Sequence, residues 1–357
     1  MGAVIVGSGV SIPGHVVTNH DLARVMDTTD EWITSRTGVR ERRFADPGVG
    51  SSGLAVEAVS AALGDAEIAP ADVDVLITAT MTPDFIAPGI AGLVQAGAGL
   101  PNVAAYDIRQ QCSGFLYGLD LADALITAGR ADTVVVVGAE AHAGFLPWSD
   151  ETWDVVLGGD GQVSPSDFRR NTEFRAWSVL FGDGAGAMVL RKGLDPDVGV
   201  LATSLHTDGE SFELIWVPGV GFKSRPYVTE ADLAADRHLP RMDGAGLFRS
   251  AVRLMPEAAN AVLAKTGLSL DDVDLVVAHQ ANDRILEGVR KQFGVGPEKV
   301  PSNIGSYGNT TAGTLPILYH ELREVGRIGP GTLVCFAAFG AGAHYGAALY
   351  REPSASL

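Results

Sequence analysis

Cysteine is nearly absent from this chain. Cys112 and Cys335 are the only two in 357 residues, too few for a disulfide framework or a cysteine metal site, so any sulfur chemistry falls to a thiol. The eight histidines show no paired ligand spacing, and no metal is expected. Positive charge is also in deficit. Against 43 acidic residues stand 26 lysines and arginines, a net charge of -17 whose field repels nucleic acid and anionic membrane surfaces. An acidic partner would therefore need a local basic patch. No apolar run approaches the roughly 18 residues of a membrane span, and the opening MGAVIVGSGVSIPG lacks the basic flank of a signal peptide. The expected location is cytoplasmic.

Apolar residues are plentiful. At 46% hydrophobic content the chain can bury a large core, and its length suits two domains or two halves of one unit. β-rich runs such as VDVLITAT (73–80), DTVVVVGAE (132–140) and TLVCFAAFG (332–340) alternate with Ala/Leu-rich helical stretches, which reads as α/β with buried strands. An internal repeat organises them. IAPADVDVLITAT (68–80) recurs as LSLDDVDLVVAHQ (268–280) at an offset of 200 residues, each copy preceded by a helical segment. DIRQQCSGFLYGLDLADALITAGR lines up with NIGSYGNTTAGTLPILYHELREVGR, setting Cys112 against Asn309 and Gly129 against Gly326 at an offset of 197. FGDGAGAMVLR (181–191) and FGAGAHYGAALYR (339–351) close the halves at an offset of 158. The first half, 1–198, thus carries about 39 more residues than the second, 199–357, and 142–178, with Trp148, Trp153 and Trp177, is where they fit. A lid, a dimer contact or an idle surface excursion are the readings of that insertion. Residues 205–240 read as the connection between halves.

Two similar halves about a pseudo-dyad make a cleft where equivalent helix starts meet. Cys112 follows the extended AAYDIR and precedes a buried helical pattern, so it sits at a strand-to-helix turn. There the helix dipole and free N–H groups favour a thiolate and can hold an oxyanion. His279 in VVAHQAN lies just past a strand's C-terminal end, where open α/β sheets place their sites. Asn309 lies in the Gly-rich turn GSYGNTTAG. Alone, these read as a core cysteine, a structural histidine and a turn asparagine; together they converge on one cleft. The cysteine can accept an acyl group, while His279 and Asn309 are neutral donors for a developing enolate oxygen. That combination fits decarboxylative condensation, which needs no carboxylate base. FGDGAG and GSGVSIPG lack full phosphate-loop spacing, and nucleotide binding is rejected.

The segments DTTDEWITSRTGVRERRFA (27–45), QQCSGF, FGDGAGA, HQANDRI, GNTTAGT and FGAGAHYG resemble β-ketoacyl-acyl-carrier-protein synthase III, of the thiolase superfamily, along nearly the whole chain apart from 142–178. The resemblance implies a thiolase-like fold of five αβαβα layers and no cofactor. It makes Cys112 the acylated nucleophile, with His279 and Asn309 binding the malonyl thioester carbonyl. It gives the oxyanion hole to the backbone N–H groups of Cys112 and Ala341, and the coenzyme A adenine end to Trp32 and Arg36. The partners it implies are acyl-CoA, acyl carrier protein and a second copy of the chain. Arg249, Arg284, Arg290 and Lys291 are the docking candidates for the acidic carrier. FGDGAG and GSGVSIPG become tight turns. Where short-chain starter enzymes of this kind carry a phenylalanine reaching into the partner's acyl pocket, TPDFIAPGI places Ala87, which implies a medium or longer primer. Gln110 and Gln111 stand where many relatives have alanines; with the insertion they suggest a specialised branch.

Three other readings stay open. One is an acyltransferase of the same fold forming an ester or amide. Another is a noncatalytic acyl-binding partner subunit. The third, a degradative thiolase, would need a second reactive cysteine before the terminal glycines, and Cys335 lies within an apolar strand where it reads as core packing.

Overall fold

The computed structural model describes residues 2–354. Two mixed sheets carry the chain. The first runs in the order Ala3–Ser11, Gly184–Lys192, Thr133–Glu140, Val75–Ala79, Ala104–Ile108; the second in the order Leu275–Ala278, Leu333–Gly340, His344–Arg351, Gly199–Thr207. In the first sheet the first two pairs in that order are antiparallel and the last two parallel; in the second sheet the first pair is parallel and the other two antiparallel. Strands such as TVVVVGAE are buried at every position, as a sheet covered on both faces requires.

Side-chain alternation assigns the faces. Val135, Val137 and Ala139 pack with Leu54, Ala58 and Ala62 of the outer helix Ser51–Asp65. Val134 and Val136 point the other way, onto the central helices Gly114–Thr127 and Thr314–Glu324, which also meet Val277, Phe336 and Tyr350 of the second sheet. Behind that sheet, Val276, Cys335 and Leu349 pack against the outer helices Gly244–Thr266 and Asp283–Phe293. The result is five layers, αβαβα, a thiolase-like fold. Cys335 is fully buried in the outer layer.

The offset of 200 residues seen between the first repeats extends to the short 3-10 turns Gln111–Ser113 and Thr311–Gly313, which open the two central helices. Gln111 and Thr311 share a left-handed backbone, with φ of 52° and 49°. Cys112 is therefore the counterpart of Ala312, not of Asn309 as the sequence repeat suggested. The central helix of the first half has 14 residues and that of the second 11; matching Gly129 to Gly326 carried this difference back into the turn. Asn309 enters the cleft from just before its turn.

Segment 142–178 is no surface excursion. Its helices Asp150–Val156, Pro165–Glu173 and Arg175–Ser178 form a satellite core with residues 15–44, in which Trp177 is 3% exposed and Trp148 8%. Arg42, fully buried, ties the two together by donating to the carbonyls of Val17 and Val179 and to Asn19 Oδ1 at 2.8–3.0 Å. GSGVSIPG and FGDGAG are not tight turns either: Gly7–Ser11 and Gly184–Ala187 are strand. A Cβ on Gly9 would lie 2.3 Å from Ala62 N, so glycine there lets the outer helix close onto the sheet. Among the described residues, no helix is long and apolar enough to cross a membrane.

Candidate active site

The nucleophile candidate, half-buried Cys112, sits where the end of Leu333–Gly340 presses on its turn. A Cβ on Gly340 would fall 2.9 Å from Cys112 N and 3.0 Å from Cys112 Cβ, and one on Gly138 2.1 Å from Ala312 O. Each sheet thus ends on a glycine-paved contact with a 3-10 turn. This approach brings the Ala341 N–H to the sulfur, alongside the Cys112 N–H, the pair of donors an oxyanion needs.

The sulfur's charge state departs from the sequence expectation. Burial, reinforced by the negative charge of Glu140, pushes the Cys112 thiol up to about 12, and the hydrogen bonds from the Cys112 N–H, the Thr311 hydroxyl and the Ala341 N–H only partly offset it. The helix start does not overcome desolvation, so the resting group is a thiol. Alkylation of Cys112 by iodoacetamide should accordingly rise about tenfold per pH unit between pH 7 and 9, without a plateau. Intact mass spectrometry reads this directly, and a plateau below pH 8 would indicate a depressed pKa instead.

His279 follows strand Leu275–Ala278 and is 1% exposed. Burial lowers its pKa to about 3, so the ring is neutral at physiological pH. Its Nδ1 lies 2.7 Å from Thr314 Oγ1, and its Nε2 has no protein partner. The Thr314 hydroxyl can also donate to the Thr311 carbonyl at 3.0 Å. When Thr314 donates to Nδ1, Nε2 keeps its proton and faces the cleft as a donor; when it donates to Thr311, Nε2 is a bare acceptor. Asn309, 4% exposed, is pinned by its backbone, which bonds Leu180 O and Gly182 N at 2.8 and 3.2 Å. Its Oδ1 accepts the Thr311 N–H at 2.9 Å, which leaves the amide Nδ2 to donate.

Glu140 is the nearby buried carboxylate, pushed up to about 7 by burial. Its oxygens accept from Met81 N, Thr82 N and Oγ1, Thr80 Oγ1 and Ala312 N at 2.6–3.4 Å. So many internal donors make it a strut between the first sheet and the 311–313 turn rather than a base.

Trp32 and Arg36 lie on helix Asp30–Thr37, started by Thr29, whose hydroxyl caps Trp32 N, and ended by left-handed Gly38. HQANDRI ties this helix to the His279 loop: Asn282 Nδ2 donates to Arg36 O at 3.1 Å, and Arg284 to Ser35 O at 2.9 and 3.1 Å. The Arg36 guanidinium lies 4.5 Å from the Trp32 ring centroid, and so does that of Arg175. Arg175 escaped the sequence reading because it lies in the segment set aside as an insertion.

The docking candidates divide. Arg249 is exposed on Gly244–Thr266 and Lys291 is exposed 3.6 Å from Glu287. Arg290 turns inward, donating twice to Val300 O at 2.9 and 3.0 Å and lying 3.7 Å from Asp283. Ala87 lies on an exposed loop beside Phe85 and Ile86, 57% and 60% exposed.

A doubled α/β fold that gathers a cysteine, a histidine and an asparagine between its sheets defines a thiolase-like condensing enzyme, an acyltransferase. The family model for 3-oxoacyl-[acyl-carrier-protein] synthase III matches residues 106–164 and 163–209, and that for its C-terminal part matches 263–352. The β-ketoacyl-[acyl-carrier-protein] synthase III of Rhodospirillum rubrum is 43% identical over 354 residues, 98% of this chain and 99% of that protein. The enzyme of that name from Bordetella petrii is 40% identical over 354 residues, 98% of each. The solved 3-oxoacyl-[acyl-carrier-protein] synthase III of Aquifex aeolicus superposes with a TM-score of 0.83 at 37% identity, covering 98% of this chain and 100% of that one. The chain belongs to the 3-oxoacyl-[acyl-carrier-protein] synthase III family. The family-model match divides inside 142–178, at residues 163–164.

Proposed function

We propose that the chain loads an acyl group from acyl-CoA onto Cys112 and condenses it with a malonyl thioester on acyl carrier protein or coenzyme A. The Cys112 sulfur attacks the acyl carbonyl, the oxyanion is held by the N–H groups of Cys112 and Ala341, and coenzyme A leaves with the thiol proton. The malonyl carboxylate then departs as CO2. The electron pair left behind forms an enolate whose oxygen accepts from His279 Nε2 and Asn309 Nδ2. Its carbon attacks the acyl carbonyl and expels the Cys112 sulfur as a thiolate, which takes up a proton from solvent, giving a β-ketoacyl thioester and the free thiol. The observation that carries this reading is the pairing of a dry, neutral His279 with an Asn309 amide whose oxygen is already engaged. Such donors stabilise an enolate without removing a proton. Decarboxylation generates the carbanion, so the chemistry calls for no cofactor. A nucleophile that must stay a thiol suits the reducing cytoplasm.

Trp32 with Arg36, and Arg175 swung aside, offer an indole face and charge to the adenine and phosphate end of coenzyme A. A homodimer is part of the reading: strand Ala104–Ile108 edges its sheet with exposed residues, Tyr106 among them at 42%, and a second copy would pair with it. Across that interface the loop bearing Ala87 would floor the partner's acyl pocket, and alanine leaves depth for a medium or longer chain. The test is a panel of acyl-CoAs of graded length with malonyl carrier protein, read by CO2 release and product. Octanoyl-CoA should outpace acetyl-CoA; faster acetyl turnover would overturn the pocket assignment, and turnover without malonyl-derived CO2 would overturn condensation in favour of simple acyl transfer.

Arg249 and Arg284 form the docking surface for the acidic carrier in this reading, with Lys291 at its edge and Arg290 holding the helix from within. Arg249→Glu should raise KM for malonyl carrier protein about tenfold at unchanged kcat, and less in high salt. Unchanged kinetics would remove Arg249 from the docking surface.

A further inference from the structure

Two residues beyond strand Thr133–Glu140, His142 is fully buried, yet nothing in the condensation just described uses it. Its Nε2 lies 2.7 Å from Thr311 Oγ1. Its ring lies against Phe181 and Trp177 at centroid distances of 4.6 and 5.9 Å, and its Nδ1 is buried without a partner. Thr311 belongs to the turn facing Cys112, and its hydroxyl stands beside the Cys112 sulfur. We propose that His142 is a positioning residue for the nucleophile, holding the Thr311 hydroxyl as a side-chain hydrogen-bond donor to the Cys112 sulfur.

The proton inventory leads there. An orphaned buried N–H costs more than an orphaned ring nitrogen lone pair, so the neutral ring carries its proton on Nε2 and leaves Nδ1 bare. Nε2–H then donates to Thr311 Oγ1. The hydroxyl proton makes no other hydrogen bond among the described residues, and the Cys112 sulfur, on which the Thr311 hydroxyl acts against burial, is the acceptor we assign to it. The backbone holds Thr311 in place: it is a β-branched residue in the left-handed region, at φ 49°, with its N–H on Asn309 Oδ1 at 2.9 Å, a conformation that persists only where the surroundings enforce it. His279 and Thr314 make a like contact with the proton placed the other way: Thr314 donates to Nδ1, and the free Nε2 keeps its proton for a substrate oxygen, whereas the free Nδ1 of His142 meets none. Two threonines of TTAGT thus each pair with a buried histidine.

His142 acts here as a donor, not a base. Burial lowers its pKa to about 3, so it is a poor proton sink for a thiol. Among charged groups, Glu140 opposes the thiolate, and His279 is neutral. Asp183, pushed up to about 7 by burial, accepts the His142 backbone N–H rather than its ring.

The proposal rests on Cys112 being the working nucleophile, and its test needs no acyl chemistry. Iodoacetamide alkylation of Cys112 would be followed by intact mass from pH 6.5 to 9 in wild type and in His142→Leu, His142→Gln, Thr311→Val and Thr311→Ser, with thermal melts to confirm folding. His142→Leu and Thr311→Val should each react about tenfold more slowly at every pH, the whole profile displaced upward by about one unit. His142→Gln, whose amide can donate, and Thr311→Ser should recover most of the rate. Wild-type rates in folded His142→Leu and Thr311→Val would overturn the proposal. Should His142→Leu fail to fold, the contrast between Thr311→Val and Thr311→Ser decides: equal rates overturn it, and a slow valine with a fast serine supports it. Wild type that alkylates as described but takes no acyl group would refute the acyl-loading reading while leaving this one standing.

Discussion

His279→Ala and Asn309→Ala should each still take an acyl group onto Cys112 and yet lose condensation by roughly a hundred- to a thousandfold, the usual effect of removing one oxyanion-type donor. In the proposed mechanism loading relies on the sulfur and the two backbone N–H groups beside it, whereas the side-chain donors act on the enolate oxygen. The double variant should be little worse than either single, because the two donors hold one oxygen as a unit. Separate assays read the split: intact mass for the acyl adduct, and CO2 release from the malonyl thioester. Equal losses in both steps would mean that His279 and Asn309 shape the nucleophile rather than the enolate site.

Cys112→Ser should form no stable adduct and fall by at least about a thousandfold in overall condensation. The half-buried site that pushes the thiol up to about 12 resists ionisation of a hydroxyl still more strongly, and no base stands ready to take its proton. Glu140 is engaged by five donor groups, and burial lowers both histidines to a pKa of about 3, too weakly basic to take a hydroxyl proton. A serine variant with near wild-type turnover would show that an unrecognised base serves the nucleophile.

Much of this was legible in the sequence because local pattern and global fold agree. Valine runs mark strands buried on both faces, and His279 stands one residue past the strand expected to precede it. The recurrence of three segments in the same order in both halves marks the doubled architecture. Three features were illegible for physical reasons. The superposition of Cys112 on Asn309 failed because one central helix is longer, and a gap of that size is invisible when only glycine punctuation is matched. The thiol's charge was misjudged because a helix start can be recognised in sequence but desolvation cannot; burial of the sulfur depends on strand ends distant in the chain, notably Gly340. His142 and Arg175 do not stand out in the sequence because 142–178 reads as an insertion outside the repeat, although His142 follows a strand end just as His279 does. That shared position was the available signal.

The central claim is that Cys112 carries the acyl group between two thioesters. Its most direct test is intact mass spectrometry of the wild type and of Cys112→Ala after incubation with a mixture of acyl-CoAs, followed by malonyl carrier protein. An adduct confined to the wild type, selective for longer chains, and discharged with CO2 release is the result expected. No adduct from any acyl-CoA, or an adduct that persists in Cys112→Ala, would contradict the account.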